Sequence, residues 1–251
     1  MSLLSMFGLQ GRVALVTGGS SGIGRAIALA LADAGAHVIV AARTEPNVSA
    51  TVEEIRSAGG SAEGIRADLA SSSGAHALAD AAGAVDVLVN SAGINLRPPM
   101  DELDQATWDS VMAVNLNAPF ILGQRLAPQM AERGFGRIIH ISSQQAHRAF
   151  ASSGAYGVSK AALEGLTRSQ AEAWSARGVT ANVLIPGFVQ TPLNERLSSD
   201  PAAVAALGSR TLVGRNGLAS DFAGAAVFLA SPSAGYVTGQ SIAVDGGFSV
   251  H

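Results

Sequence analysis

The segment Tyr156-Gly-Val-Ser-Lys160 joins two residue types that can move a proton together. A separation of four places both side chains on one face of a helix, a turn apart. Tyrosine is a poor base at neutral pH because its ordinary pKa is about 10. A neighbouring ammonium favours the phenolate and draws that value down, making the phenol a usable proton acceptor and, in reverse, a donor to a developing alkoxide. Lys160 is also the only lysine in the chain, the other fifteen basic residues being arginines. A guanidinium is wide, planar and always charged, whereas an ammonium is a compact donor whose pKa responds to its site. A lysine at this one position therefore points to a site that arginine cannot serve.

Thr17-Gly-Gly-Ser-Ser-Gly-Ile-Gly24 follows a short apolar run and opens an apolar-periodic segment, so it reads as a turn from strand to helix. Glycines there let backbone N–H groups approach a dinucleotide pyrophosphate at a helix N-terminus, where the helix dipole favours negative charge. The second apolar strand ends in Ala41-Ala42-Arg43. No acid is present to bind a ribose 2′-hydroxyl, and Arg43 is placed to pair with a 2′-phosphate. The expected cofactor is NADP(H), with NAD(H) possible. An oxidised nicotinamide ring would add a second charge favouring the Tyr156 phenolate, and the ring would carry the hydride chemistry.

Glycines at 18, 22 and 24 give TGxxxGxG, Asn90-Ser-Ala-Gly93 ends the fourth strand, and Tyr156 and Lys160 stand four apart. With these motifs the sequence resembles the short-chain dehydrogenase/reductase family over nearly its whole length, including members of the gluconate 5-dehydrogenase and 3-oxoacyl-[acyl-carrier-protein] reductase types. The resemblance implies a catalytic serine at Ser143, thirteen residues before Tyr156, with Ser142 as its nearest rival. It also implies that Asn115 extends the proton path from Lys160 through a water. Cofactor contacts are implied at Gly18, Ser20, Ser21, Gly22, Ile23 and Gly24, at Asp68 and Leu69 beside the adenine, and at Asn90, Ala92 and Gly93. Pro186, Gly187, Val189 and Thr191 are implied near the nicotinamide, together with Tyr156 and Lys160. Two features depart from the family pattern. Ser91 replaces the second Asn of the NNAG motif, and Ser21 stands where many NADP-using members carry a second basic residue.

These residues need elements to hold them. Apolar runs at 12–17, 37–42, 85–90, 137–142, 180–185 and 241–245, and a further strand ending near Asp68, alternate with helical patterns at 23–34, 48–57, 74–82, 107–133 and 153–176. Strands that are continuously apolar belong in a parallel sheet covered on both faces by helices. The expected fold is therefore α/β: a single-domain, doubly wound Rossmann fold over 1–251, with a mostly parallel seven-stranded sheet. The segment 186–216 is the least regular and is expected to form a substrate lid beyond a strand's C-terminal end.

Composition narrows the functions further. A net charge of −3 offers no basic stripe for nucleic acid or an anionic membrane. The absence of cysteine excludes disulfides, thiolate nucleophiles and Cys-ligated zinc. Histidines 37, 76, 140, 147 and 251 show no ligand spacing, so no metal is expected. No signal-like N-terminus or membrane-length apolar run is found, and a cytoplasmic protein is expected. The expected partners are a small-molecule carbonyl or alcohol and copies of the same chain, the resemblance implying a dimer or tetramer.

Asn95 and Arg97, and Gln144, Gln145, His147 and Arg148, follow the fourth and fifth strands and are the candidate substrate walls. Their polar and cationic character suits a hydroxylated or carboxylated substrate of the sugar-acid or polyol type. Reduction of a 3-oxoacyl thioester is the alternative, weakened by Glu172 where such reductases often carry arginine. A non-catalytic cofactor sensor would not need Tyr156, Lys160, Ser143 and Asn115 together.

Overall fold

A computed structural model describes residues 2–250, apart from the side chain of Leu4. Seven strands form one sheet in the order β3-β2-β1-β4-β5-β6-β7: β1 (Val13–Thr17), β2 (His37–Ala42), β3 (Ser61–Arg66), β4 (Val87–Asn90), β5 (Gly136–Ile141), β6 (Val179–Pro186) and β7 (Ser241–Val244). Every neighbouring pair is parallel. The chain steps from β1 outward to β2 and β3, then returns to the other side of β1 with β4. That reversal opens a crevice at the C-terminal ends of β1 and β4, where a doubly wound sheet binds its ligand.

Alternate residues of the central strands feed two cores. Ala14, Val16, Val38, Val40, Val87 and Val89 pack on one face with α2 (Gly22–Asp33), α3 (Glu45–Ser57) and α10 (Ala223–Ala230). Leu15, Ile39, Ala41 and Leu88 pack on the other with α4 (Ser72–Ala82) and α6 (Ala118–Glu132). Burial on both faces explains why the strands read as unbroken apolar runs.

Three local features differ from the sequence-based expectation. The long helix over 107–133 is α5 (Gln105–Met112) and α6 joined through a five-residue π turn, Ala113–Asn117. Pro119 has no N–H to offer the carbonyl of Asn115 four residues earlier, which breaks the α ladder there. The irregular 186–216 segment holds a 3₁₀ turn at Pro192–Asn194, α8 (Glu195–Ser198) and α9 (Pro201–Ser209). Pro201 starts α9 rather than interrupting the chain, and Asp200 caps it by accepting from the N–H groups of Ala202 and Ala203. Finally, α10 was not expected: its sequence AGAAVFLA is apolar all round, so it lacks the polar face that reveals a helical period. The remaining helices are α1 (Leu3–Phe7) and α7 (Gly154–Trp174). None of the described helices is long and apolar enough to cross a membrane.

Candidate active site

The glycine turn is packed so closely that side chains are excluded. A Cβ on Gly24 would lie 2.3 Å from the carbonyl oxygen of Gly18, and one on Gly18, whose φ is +65°, would lie 2.8 Å from the backbone N of Ala92. Thr17 ties this turn to the end of β4. Its hydroxyl accepts from the N–H groups of Ser91 and Ala92, each at 3.2 Å, and donates to the carbonyl of Val89. Two adjoining cavities share Gly18, Ser21, Ala92, Gly93 and Pro192 and run across the crevice.

One cavity is lined by Ser20, Ala42, Arg43, Thr44, Asn47, Asp68 and Leu69. The Arg43 side chain has no hydrogen-bonding or ionic partner among the described residues, so its guanidinium is available to a phosphate. The other cavity is lined by Gly22, Ile23, Gly24, Pro186, Gly187, Val189 and Thr191, and ends at Ser143, Tyr156 and Lys160. A glycine-walled cradle at a helix N-terminus, with a cation at one end and a tyrosine–lysine pair at the other, fits an extended dinucleotide. Asn90 is the exception among the expected cofactor contacts. It is buried below the cavity, where its amide nitrogen meets Nδ1 of His140 at 3.2 Å.

At the reacting end, α7 presents an unusual buried stripe of Tyr156, Ser159, Lys160, Glu164, Thr167 and Gln170. The Ser143 hydroxyl lies near enough to the Tyr156 phenol to lower its pKa, and it accepts from the N–H of Gln145 at 3.2 Å. Ser142 is committed elsewhere: its hydroxyl lies 2.9 Å from Glu164 Oε1, the nearer acceptor for its one proton, and 3.2 Å from the Lys160 carbonyl. Lys160 Nζ donates to the carbonyl of Ile141 at 2.7 Å and lies 5.7 Å from the Tyr156 ring centre. Burial lowers the Lys160 pKa to about 8.

Burial also raises the Tyr156 pKa above its ordinary value, outweighing the nearby Ser143 hydroxyl and the positive charge of Arg97, both of which lower it. This corrects the expectation of a phenol drawn down by lysine. A buried phenolate loses hydration worth more than these protein groups return.

Asn115 sits in the π turn and is buried. Its Oδ1 accepts from the N–H of Ile94, while Nδ2 donates to the Ile94 carbonyl and to Ser159. The side chain thus clamps the 91–94 loop onto α7, and its Oδ1 lies on the same side of Gly93 as Lys160 Nζ.

The expected substrate residues divide. Arg97, Gln144 and Gln145 line the reacting cavity, whereas Asn95, His147 and Arg148 do not. His147 pairs with buried Glu164 at 3.0 Å, Arg148 holds the carbonyl of Ser249, and the side-chain oxygen of Asn95 is buried without a partner. Arg97 donates to the carbonyls of Ala151 and Ser152, the latter residue held at a left-handed φ of +54°. Partial burial and the nearby Arg196 lower the Arg97 pKa, and no carboxylate pairs with Arg97 among the described residues. Sequence reasoning missed the opposite wall, formed by Phe150, Phe188, Leu193, Asn194, Leu197 and Leu207. Leucines spaced along short helices give no local sign that they face a cavity. No group of His, Cys, Asp and Glu suited to a metal occurs among the described residues, and His251 lies outside them.

Residues 18–249 match the family described as enoyl-(acyl carrier protein) reductase. A structure from Beutenbergia cavernae is 45% identical, with a TM-score of 0.94, and covers 98% of this chain and 99% of its own. It is provisionally described as an NAD(P) dependent gluconate 5-dehydrogenase with bound NADP at low occupancy. A gluconate 5-dehydrogenase from Burkholderia cenocepacia, in complex with NADP and tartrate, is 37% identical with a TM-score of 0.94 over 100% of both chains. The gluconate 5-dehydrogenase of Gluconobacter oxydans is 37% identical, covering 100% of this chain and 99% of its own.

Proposed function

The chain belongs to the short-chain dehydrogenase/reductase family, and on that premise we propose that it is an NADP-dependent dehydrogenase interconverting a secondary alcohol and a carbonyl on a sugar acid or polyol. The observation that carries this reading is the charge of the reacting cavity. Its charged lining residues are Arg97 and Lys160, both cations, beside Tyr156 and Ser143. Such a cavity favours an anionic, hydroxyl-rich substrate over a bare hydrocarbon. The relatives described as gluconate 5-dehydrogenases support it. Arg43, unpaired at the end of β2, supports NADP over NAD.

Bound nicotinamide dinucleotide would supply the hydride acceptor or donor and, when oxidised, a positive charge. Gly18, Gly22 and Gly24 would admit its pyrophosphate, Arg43 its 2′-phosphate, and Asp68 and Leu69 its adenine. Ser143 would hold the substrate oxygen against the Tyr156 phenol. In the reducing direction Tyr156 Oη would give its proton to that oxygen; in the oxidising direction it would take it. Lys160, a compact buried cation, would favour the phenolate and reach the cofactor ribose. Asn115 holds the loop that walls this end and would continue the proton path. The 186–216 segment, whose leucines face the cavity, would close as a lid. A cytoplasmic dimer or tetramer, assembled through the outer faces of α6 and α7 where Phe120 and Val158 are exposed, completes the reading.

The test follows absorbance of reduced nicotinamide with NADP and gluconate, other sugar acids and polyols, for the wild type and Tyr156→Phe. The variant is expected to lose about 10²- to 10⁴-fold in kcat. Equal turnover would overturn the mechanism. A second reading, reduction of 3-oxoacyl thioesters, is favoured by the apolar lid wall, and turnover confined to thioesters would establish it in place of the first. Glu172, exposed on α7, presents an acid rather than a base to an acidic carrier protein.

A further inference from the structure

Gln144 follows Ser143 in the chain, is 8% exposed, and lines the reacting cavity. Its side-chain Nε2 lies 3.2 Å from Asp245 Oδ2. A carboxylate only accepts, so the NH₂ end of the amide must face Asp245 and the carbonyl end must point away from it. The Asp245 carboxylate is itself fixed: Oδ1 accepts from the N–H of Gly247 and Oδ2 from the N–H of Ser249, each at 2.9 Å. No described residue donates to Gln144 Oε1. That oxygen is also absent from the buried side-chain atoms that lack a partner, so it is accessible, and the residue that carries it lines the cavity. The neighbouring Gln145 offers a contrast. It meets the Ser153 hydroxyl at 2.7 Å, and a hydroxyl can donate or accept, so nothing fixes which end of that amide faces the cavity.

We propose that Gln144 determines substrate specificity: held by Asp245 with its carbonyl oxygen toward the cavity, it accepts a hydrogen bond from a substrate hydroxyl beside the carbon that reacts at Ser143 and Tyr156. The proposal rests on the sugar-acid or polyol reading and deepens it. A fixed acceptor next to the catalytic serine selects a vicinal hydroxyl, because a substrate without one leaves that acceptor dehydrated and unpaired. A plain ketone or a 3-oxoacyl chain has no such donor. Asp245, at the end of β7, acts through Gln144 and is a positioning residue.

The experiment measures kcat/KM with NADP for gluconate and each of its monodeoxy analogues, and in parallel for 2,3-butanediol against 2-butanol. The proteins are wild type, Gln144→Met and Asp245→Ala. The readout is the ratio of kcat/KM for the hydroxylated substrate to that for its deoxy partner, which does not depend on the fraction of folded enzyme. Wild type is expected to favour the hydroxylated partner by about tenfold or more in at least one pair. Gln144→Met is expected to bring that same ratio close to one by losing the hydroxylated substrate while keeping the deoxy one. Asp245→Ala, which frees the amide to turn, is expected to lower the ratio in the same pair.

An unchanged ratio in Gln144→Met, or an equal loss on both partners, overturns the proposal and assigns Gln144 to packing. A ratio lost in Gln144→Met but kept in Asp245→Ala overturns the role of Asp245. Absence of turnover on every polyhydroxylated substrate by wild type, with activity on acyl thioesters, instead overturns the proposed function itself.

Discussion

Tyr156 and Lys160 are pulled in opposite directions by the same cause. Burial disfavours charge on each, raising the phenol and lowering the ammonium to about 8. The phenol is therefore protonated across the neutral range, ready to donate in carbonyl reduction, while alcohol oxidation needs the phenolate. Oxidation is expected to gain in kcat/KM as pH rises above neutrality, and Arg97→Met is expected to move that rise to higher pH, because Arg97 is the cation whose charge lowers the phenol. Initial-rate profiles in both directions check this, and an unshifted rise in the variant would remove Arg97 from the titration. At the other end of the groove, Arg43→Ala is expected to raise KM for NADP roughly 10- to 100-fold, the range for a charge-assisted phosphate contact. KM for NAD should stay close to that of wild type. An equal effect on both cofactors would mean that Arg43 does not read the 2′-phosphate.

The π turn between α5 and α6 is the element that most directly positions the site. By interrupting the α ladder it carries Asn115 to where one amide satisfies both backbone groups of Ile94 and the Ser159 hydroxyl. Truncation leaves these groups without their partner, at a cost of about 1–3 kcal/mol. Asn115→Ala is therefore expected to melt several degrees lower than wild type, with faster amide exchange at Ile94 and a lower kcat. Thermal melts and exchange at that amide provide the check, and an unchanged Ile94 exchange rate would show that the loop is held by other contacts. The same element shows how far a local reading reaches. Periodicity finds one helix from 107 to 133, but the π turn follows from Pro119, which removes a donor, and from the tertiary partners that reward the resulting geometry.

Across the whole molecule, the sheet joins the site to a buried polar layer. His140 on β5 is fully buried between Asn90 on β4 and Gln170 on α7, and burial lowers its pKa to about 4. The unfolded chain takes up a proton near pH 6.5 while the folded chain refuses it until about pH 4. Below pH 6.5 the unfolded state binds more protons, so stability falls as pH drops and the effect levels off near pH 4. The full penalty is of the order of 3 kcal/mol. Denaturant melts between pH 7 and 4 are expected to show this loss, and His140→Gln, which cannot charge, should flatten it even if it is less stable at neutral pH. An equally steep acid loss in that variant would place its origin in other groups.

The sequence by itself determined what depends on neighbours in the chain. Unbroken apolar strands between amphipathic helices specified a parallel doubly wound sheet, the glycine spacing marked the turn that a side chain would block, and the four-residue step from Tyr156 to Lys160 placed them on one helical face. It also left a plausible but unsorted set of polar loop residues around the reacting centre. Only the tertiary structure separated Arg97, Gln144 and Gln145, which line the cavity, from Asn95, His147 and Arg148, and moved Asn90 beneath it to meet His140. It likewise revealed α10 and the leucine wall. Which way a loop side chain turns depends on partners distant in sequence, such as Glu164 for His147 and Asp245 for Gln144. The sign of the Tyr156 shift was decided in the same way, since burial is a property of the folded whole and outweighs the effect of any single neighbour.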